Sequence, residues 1–274
     1  HKERTAFTAG PLGFFEFNVL PFGLCNSPAT FQRLMHLCMQ DIDHCLIYLD
    51  DIVVFSSSYE EHVEKLAKVF DRLKQYGLKL NPRKCQFLQK NVKYLGHVVS
   101  ADGIEVDPDK ISAVKEMSPP TTVDELQRFL GFIGFLRRFI PNLSKVAKPL
   151  TSLLKGRDGI RKKRCKSVAP ESIVWEDSQQ SAFDQLIQLC TTAPVLAYAD
   201  YSLPFELHVD ASTSGLGAVL YQEQKGQHRV IGYASRGLSQ SESRYPIHKL
   251  EFLALNGRSR INFMITCMDT NLKS

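Results

Sequence analysis

The chain has 274 residues, 43% of them hydrophobic and 23% charged, the proportions of an ordinary folded protein with length for about two domains. Lys and Arg number 34 against 29 acids, and the resulting net charge of +5 leans mildly toward a polyanionic partner. Seven cysteines with no C-x-x-C pair argue against a disulfide framework or a zinc site and for a reducing compartment; no apolar run is long enough for a bilayer span, and no signal peptide opens the sequence.

In chain order, the start at His1 rather than Met suggests a piece of a longer protein. Phe14 to Leu20 predicts a strand, and Ser27 followed by Pro28 predicts the N-cap and first position of a helix. Cys45 to Phe55, "CLIYLDDIVVF", sets Asp50 and Asp51 side by side between two strand-forming runs, which predicts a hairpin with the acids at its tip. One reading is a solvated turn. Adjacent aspartates repel, however, and tight turns favour Asn-Gly or Asp-Gly. Two carboxylates held on a rigid hairpin are oxygen ligands suited to magnesium, which takes one or two protein carboxylates plus substrate phosphates. That is phosphoryl-transfer chemistry.

Tyr59 to Tyr76 carries Val63, Leu66, Val69, Phe70 and Leu73 on a helical stripe that stops at Gly77. Val92 to Val99 and Ile104 to Val106 flank Ala101-Asp102-Gly103 as a second hairpin. Thr122 to Glu125 fits a capping box before a helix over Leu126 to Ile140, stopped by Pro141. Residues 155–166, "KGRDGIRKKRCK", hold seven basic residues and one acid, and are the best linker candidate. A helix near Ser181 to Cys190, strands over Pro204 to Val209, Gly217 to Gln222 and His228 to Ser235, and a helix over Ser241 to Leu255 complete the pattern. There is no internal repeat.

The strings "LPFGLCNSPATFQ" (Leu20 to Gln32) and "YLDD" (Tyr48 to Asp51) resemble the reverse transcriptases of gypsy-like long-terminal-repeat retrotransposons. So do, in the same order, "GLKLNPRKCQF", "YLGHVVSADGI", "LQRFLGFIGFLRRFIPNLSKVAKPLTSLLK", "APVLAYAD" and "FELHVDAS", from about Arg4 to Leu255. The resemblance implies an α+β fold: a partial polymerase palm and thumb without fingers, then a partial ribonuclease H-like α/β domain. The implied division is palm at 1–106, thumb-like helices at 107–154, basic linker at 155–175, connection at 176–200, ribonuclease H-like domain at 201–256 and an unaligned tail at 257–274.

The family likeness also implies roles. Asp50 would be the leading magnesium ligand and Asp51 its weaker companion, with two metal ions per intact site and manganese able to substitute. Pro21, Phe22, Gly23 and Leu24 resemble a loop lining the nucleotide pocket, with Gln32 on the helix behind it and Tyr48 beside the primer end. Leu95, Gly96 and His97 match a hairpin that grips the primer strand. Arg128, Arg137 and Arg138 would contact a nucleic-acid backbone from an aromatic-rich helix. Asp210 and Glu251 would bind the metal of a ribonuclease H site. The implied partners are an RNA template, a DNA primer, an RNA–DNA hybrid, nucleoside triphosphates and the rest of the Pol polyprotein, in a cytoplasmic particle or the nucleus and neither in a membrane nor secreted.

The sequence departs from the family in two places. A third palm aspartate and the fingers belong upstream of His1, and further ribonuclease H carboxylates belong after Glu251, where "GRSRINFMITCMDTNLKS" does not align and only Asp269 offers a stand-in. The isolated chain is therefore expected neither to polymerise nor to cleave efficiently. The competing reading is a silent relic that at most binds nucleic acid; an unrelated magnesium hydrolase leaves the ordered matches unexplained.

Overall fold

The structure is a computed structural model and describes residues 2–154, 172–213 and 215–255. The basic run at 155–166 and Asp269 lie outside the described residues. The chain divides into two compact units, His1–Leu88 and Gln89–Ser274.

In the first unit, β1 (Phe7–Thr8) pairs antiparallel with β2 (Phe14–Phe15). The strand expected through Leu20 stops at Phe15. Helix α1 (Ser27–Met39) follows, capped at Asn26 rather than Ser27, whose hydroxyl instead donates to the Pro21 carbonyl at 3.0 Å. Strands β3 (Cys45–Tyr48) and β4 (Asp51–Val54) form the expected hairpin. Helix α2 (Tyr59–Gln75) starts at Ser58, whose hydroxyl accepts the Glu61 N–H, and ends before Gly77 at φ +67°. Met35, Cys38 and Met39 of α1 meet Val69 and Leu73 of α2 beneath the hairpin. Burying each such side chain contributes about 1.5–3 kcal/mol, which holds the hairpin on a fixed platform.

In the second unit, β5 (Val92–Tyr94), β6 (His97–Val99) and β7 (Ile104–Val106) make an antiparallel sheet. Among the described residues, five helices come next: α3 (Pro108–Lys115), α4 (Val123–Phe135), the short α5 (Leu143–Val146) and α6 (Lys148–Ser152), and α7 (Asp177–Thr191). The capping box at Thr122 and Glu125 is formed. Yet α4 ends at Phe135, well short of Ile140, because the chain tightens into bonds three residues apart from Leu136, Phe139 and Ile140. That tightening turns all three side chains into the core with Leu126, Phe129 and Ile133. Arg137 and Arg138 consequently lie after α4, not on it; Arg128 alone of the three is on the helix, and exposed.

Strands β8 (Glu206–Ser212), β9 (Gly215–Gln224) and β10 (Gln227–Gly237) form an antiparallel sheet in the order β10-β9-β8. The last expected helix is split by Pro246 into a single 3-10 turn, Glu242–Arg244, and α8 (Ile247–Leu255). Leu250 and Ala254 of α8 pack on Leu216, Val209 and Ala211. Small residues let the short helix α5 approach the other face: a Cβ on Gly217 would overlap the Asn142 side-chain oxygen, and Ser144 N–H donates to Ser235 Oγ at 2.9 Å.

Candidate polymerase and ribonuclease H sites

Tyr48 pairs with Asp51 across the β3–β4 hairpin, so the two-residue turn is Leu49-Asp50 rather than the two aspartates. Leu49 occupies the left-handed region at φ +54°, a conformation that costs a residue with a Cβ about 1–2 kcal/mol. Asp50 completes the turn and Asp51 opens β4; both carboxylates are exposed, as is the Tyr48 ring. From α1, Gln32 reaches this tip: its Oε1 accepts the Leu49 N–H at 2.5 Å and its Nε2 donates to the Ile47 carbonyl at 3.2 Å. Phe22 is fully exposed and Gly23 sits at φ +86° with open space where a Cβ would stand. Glycine accepts that backbone without strain, and the open space leaves room for a close approach.

The β5–β6 turn is Leu95-Gly96, both at positive φ, with Leu95 exposed. Lys110 of α3 lies over this turn and its ammonium sits 4.7 Å from the Phe135 ring. His97 stacks against Phe135 and Phe139 and bonds the Leu95 carbonyl through Nδ1 at 3.0 Å. Burial pushes the imidazole below its ordinary range, and the Arg138 and Lys110 charges push the same way, against the Leu95 bond and Asp107.

Asp210 pairs with Gly217 and is exposed. Because Val209 and Ala211 face α8, alternation along β8 puts Asp210 on the opposite sheet face, while Glu251 is exposed on α8. The chemistry of these donors fits a hard divalent ion, since all four are carboxylates open to solvent. Among the described residues no three His, Cys, Asp or Glu side chains converge as a complete metal cage. The pair at the hairpin tip fits magnesium best, because that ion keeps waters and substrate phosphates as its remaining ligands.

Sequence reasoning placed the Asp50-Asp51 hairpin and the β6–β7 hairpin, but the run from Val92 to Val99, read as one strand, is broken by the Leu95-Gly96 turn into β5 and β6. Sequence reasoning also missed that Leu49 is the turn residue, that Lys110 and two phenylalanines enclose the Leu95-Gly96-His97 turn, and that Asn142 covers Gly217. Leucine carries no left-handed preference, and contacts between segments tens of residues apart leave no spacing to read.

An acidic hairpin seated on a helical platform, followed by helices and an antiparallel sheet capped by a helix, defines a reverse transcriptase joined to a ribonuclease H-like domain. Residues 2–99 match the family described as reverse transcriptase (RNA-dependent DNA polymerase), and residues 175–257 match the RNase H-like domain found in reverse transcriptase. The chain is 40% identical over 247 residues to the Retrovirus-related Pol polyprotein from transposon opus of Drosophila melanogaster, covering 89% of this chain and 24% of that protein. It is 35% identical over 257 residues to the Pol polyprotein from transposon gypsy of the same fly, covering 93% and 24%, and 33% identical over 248 residues to the Transposon Tf2-3 polyprotein of Schizosaccharomyces pombe, covering 89% and 18%. The foamy viral protease-reverse transcriptase, solved in complex with double-stranded DNA, superposes with a TM-score of 0.80 at 25% identity, covering 98% of this chain and 44% of that one. Its complex with an RNA/DNA hybrid gives 0.78 at 25% identity, covering 98% and 34%.

The chain belongs to the gypsy-like long-terminal-repeat retrotransposon Pol polyprotein family and carries its reverse transcriptase and RNase H-like parts. It spans about a quarter or less of the length of these curated relatives. Both enzyme families depend on divalent metal ions, and no helix among the described residues is long and apolar enough to cross a membrane.

Proposed function

We propose that this chain is a portion of an RNA-directed DNA polymerase with ribonuclease H, and that Asp50 and Asp51 are its polymerase metal ligands. The observation that carries this reading is the hairpin tip, where Asp50 of the turn and Asp51 at the start of β4 expose adjacent carboxylates on a hairpin backed by α1 and α2. Magnesium, or manganese in its place, would supply activation of the primer hydroxyl and neutralisation of the leaving pyrophosphate. The chain's own residues orient and bind. Tyr48 flanks the primer end, Pro21, Phe22 and Gly23 border the nucleotide, and Gln32 backs them. Leu95, Gly96 and His97 grip the primer, Arg128, Arg137 and Arg138 meet phosphates, and Asp210 serves hybrid cleavage, to which Glu251 would have to contribute from α8 on the other face of the sheet. The functional division follows the sequence reading: palm at 1–106, thumb-like helices at 107–154, linker at 155–175, connection at 176–200 and ribonuclease H-like domain at 201–256, with the tail at 257–274 outside all of these.

The partners of this reading are RNA template, DNA primer, RNA–DNA hybrid, nucleoside triphosphates and the remaining Pol segments, inside the cell in a particle or the nucleus. Two of three or more carboxylates support little turnover, since members of a cooperative constellation fail together. Primer extension on an RNA template and hybrid cleavage, both with magnesium, test this. The 274-residue chain is expected to bind the hybrid with an affinity that falls as salt rises and to show neither activity. Vigorous magnesium-dependent synthesis would show that its ligand set is complete, and failure to bind hybrid at low salt would overturn the nucleic-acid reading.

A further inference from the structure

The amide of Gln32 makes a specific set of bonds. Oε1 takes the Leu49 N–H, which can only donate, and Nε2 gives one hydrogen to the Ile47 carbonyl, which can only accept, so the amide has one orientation. The other Nε2 hydrogen points to His36 Nε2 at 2.8 Å, which must therefore accept. Both donors are committed, leaving none to offer an incoming nucleotide. The two main-chain bonds bracket Tyr48, and their anchor lies 17 residues away from Leu49 on a helix whose other face is buried core.

A hairpin turn with its first residue left-handed ordinarily has Gly, Asn or Asp there. Leucine at φ +54° has little preference of its own for that conformation, and the Gln32 bonds on either side of Tyr48 are placed to hold it. The residue that follows is Asp50, whose direction depends on the ψ of Leu49.

We infer that Gln32 is a positioning residue for the polymerase site: by clamping Leu49 in the left-handed conformation from α1, it sets the direction in which Asp50 meets its metal ion. This inference rests on the reading of Asp50 as a metal ligand. It gives Gln32, behind the nucleotide loop, control of the direction of the Asp50 carboxylate.

The test uses the full 274-residue chain, isotope-labelled, with manganese as a paramagnetic stand-in for magnesium. Two quantities are read: hydrogen exchange of the residue 49 amide, and manganese-dependent broadening of the signals of residues 48 to 51. Gln32→Met is expected to raise residue 49 exchange roughly tenfold, the loss of one net hydrogen bond, and to weaken manganese binding at the tip severalfold. The Phe55 amide, bonded to the His44 carbonyl at the hairpin's far end, keeps its exchange rate. Leu49→Gly added to Gln32→Met restores manganese affinity, because glycine adopts the left-handed conformation without a clamp. Should Gln32→Met unfold the first unit, Gln32→Glu keeps an acceptor for the Leu49 N–H and is expected to leave residue 49 exchange slow.

Unchanged residue 49 exchange in Gln32→Met, fast residue 49 exchange in Gln32→Glu, or raised exchange in Gln32→Met with undiminished manganese binding, would overturn the positioning role. Absence of broadening in the unaltered chain would instead overturn the metal reading, and the positioning role with it, whatever the exchange rates show.

Discussion

The imidazole of His97 lies nearly parallel to the Phe139 ring, with centroids 5.5 Å apart and planes 20° from coincidence. This pairing joins the first turn of the β5–β6–β7 sheet to the segment that follows α4, where burial disfavours the charged form of the ring. The Arg138, Lys110 and Asp107 charges and the Leu95 carbonyl face the ring, and burial outweighs the rest.

The sign of the pH effect follows. The folded chain holds His97 below its ordinary value near 6.5, so as pH falls past that value the unfolded chain takes up a proton that the folded chain refuses. The stability His97 confers is present above about pH 6.5 and is lost as pH falls toward the depressed folded value. Urea unfolding of the second unit at pH 8 and pH 5.5 should show a larger loss in the unaltered chain than in His97→Phe, which keeps the stack and drops the titration. Equal losses would contradict the assignment.

Gly103, at φ +143°, leaves no room for a side chain: a Cβ there would overlap the carbonyl oxygen of Leu196. The close approach brings Ile104 into a bridge with Leu196 and lets the Tyr198 hydroxyl donate to the Ser100 carbonyl at 2.9 Å. Gly103→Ala should therefore cost about 2 kcal/mol or more, combining a clash with an unsuitable backbone. Gly226, at φ +74° with nothing within 4 Å, suffers only the backbone penalty, and Gly226→Ala should cost about 1 kcal/mol. Differential scanning calorimetry should place the Gly103→Ala melt several degrees below that of Gly226→Ala.

Glu242 fastens the loop between β10 and α8 by gripping Arg236 with both carboxylate oxygens, at 2.8 and 3.0 Å, and by accepting the Ser239 N–H. The guanidinium holds this carboxyl down to about 2, from an ordinary 4.5. Its contribution is present above pH 4.5 and disappears as pH falls toward 2. Glu242→Gln should lower stability by about 1–2 kcal/mol at pH 7. Denaturation followed by circular dichroism should show that gap closing between pH 4.5 and pH 2.5.

Thr122 accepts the Glu125 N–H while Glu125 returns bonds to the Thr121 and Thr122 amides. Thr122→Ala removes one side of that box and should cost about 1 kcal/mol, whereas Thr122→Ser should cost less, because a hydroxyl remains. Chemical denaturation of both variants separates the lost cap from a simple change in side-chain volume.

Several features were legible in the sequence because their causes are local. Thr122 caps its helix with a bond three residues away, and the strand-forming runs on either side of the Asp50 and Asp102 regions select hairpins. The ordered strings from Leu20 to Ser212 carried the family, since motif order survives in sequence whatever the fold does. Where the cause lay elsewhere in the chain, sequence reading failed. Nothing in Leu136 to Ile140 announces that α4 stops early; the burial of Leu136, Phe139 and Ile140 in a shared core does that.

The sequence by itself determined the chemistry available: paired carboxylates at 50 and 51, an acid at 210 and another at 251, basic and aromatic residues around two hairpins. Only the tertiary structure decided how those groups are aimed. A left-handed leucine at position 49 exists because a glutamine on a distant helix meets its amide, and Asp210 turns away from α8 because Val209 and Ala211 claim the apolar face. Residue type fixes what an atom can donate, accept or ligate; direction is set by the sum of contacts from segments far apart, and those come into being only when the chain has folded.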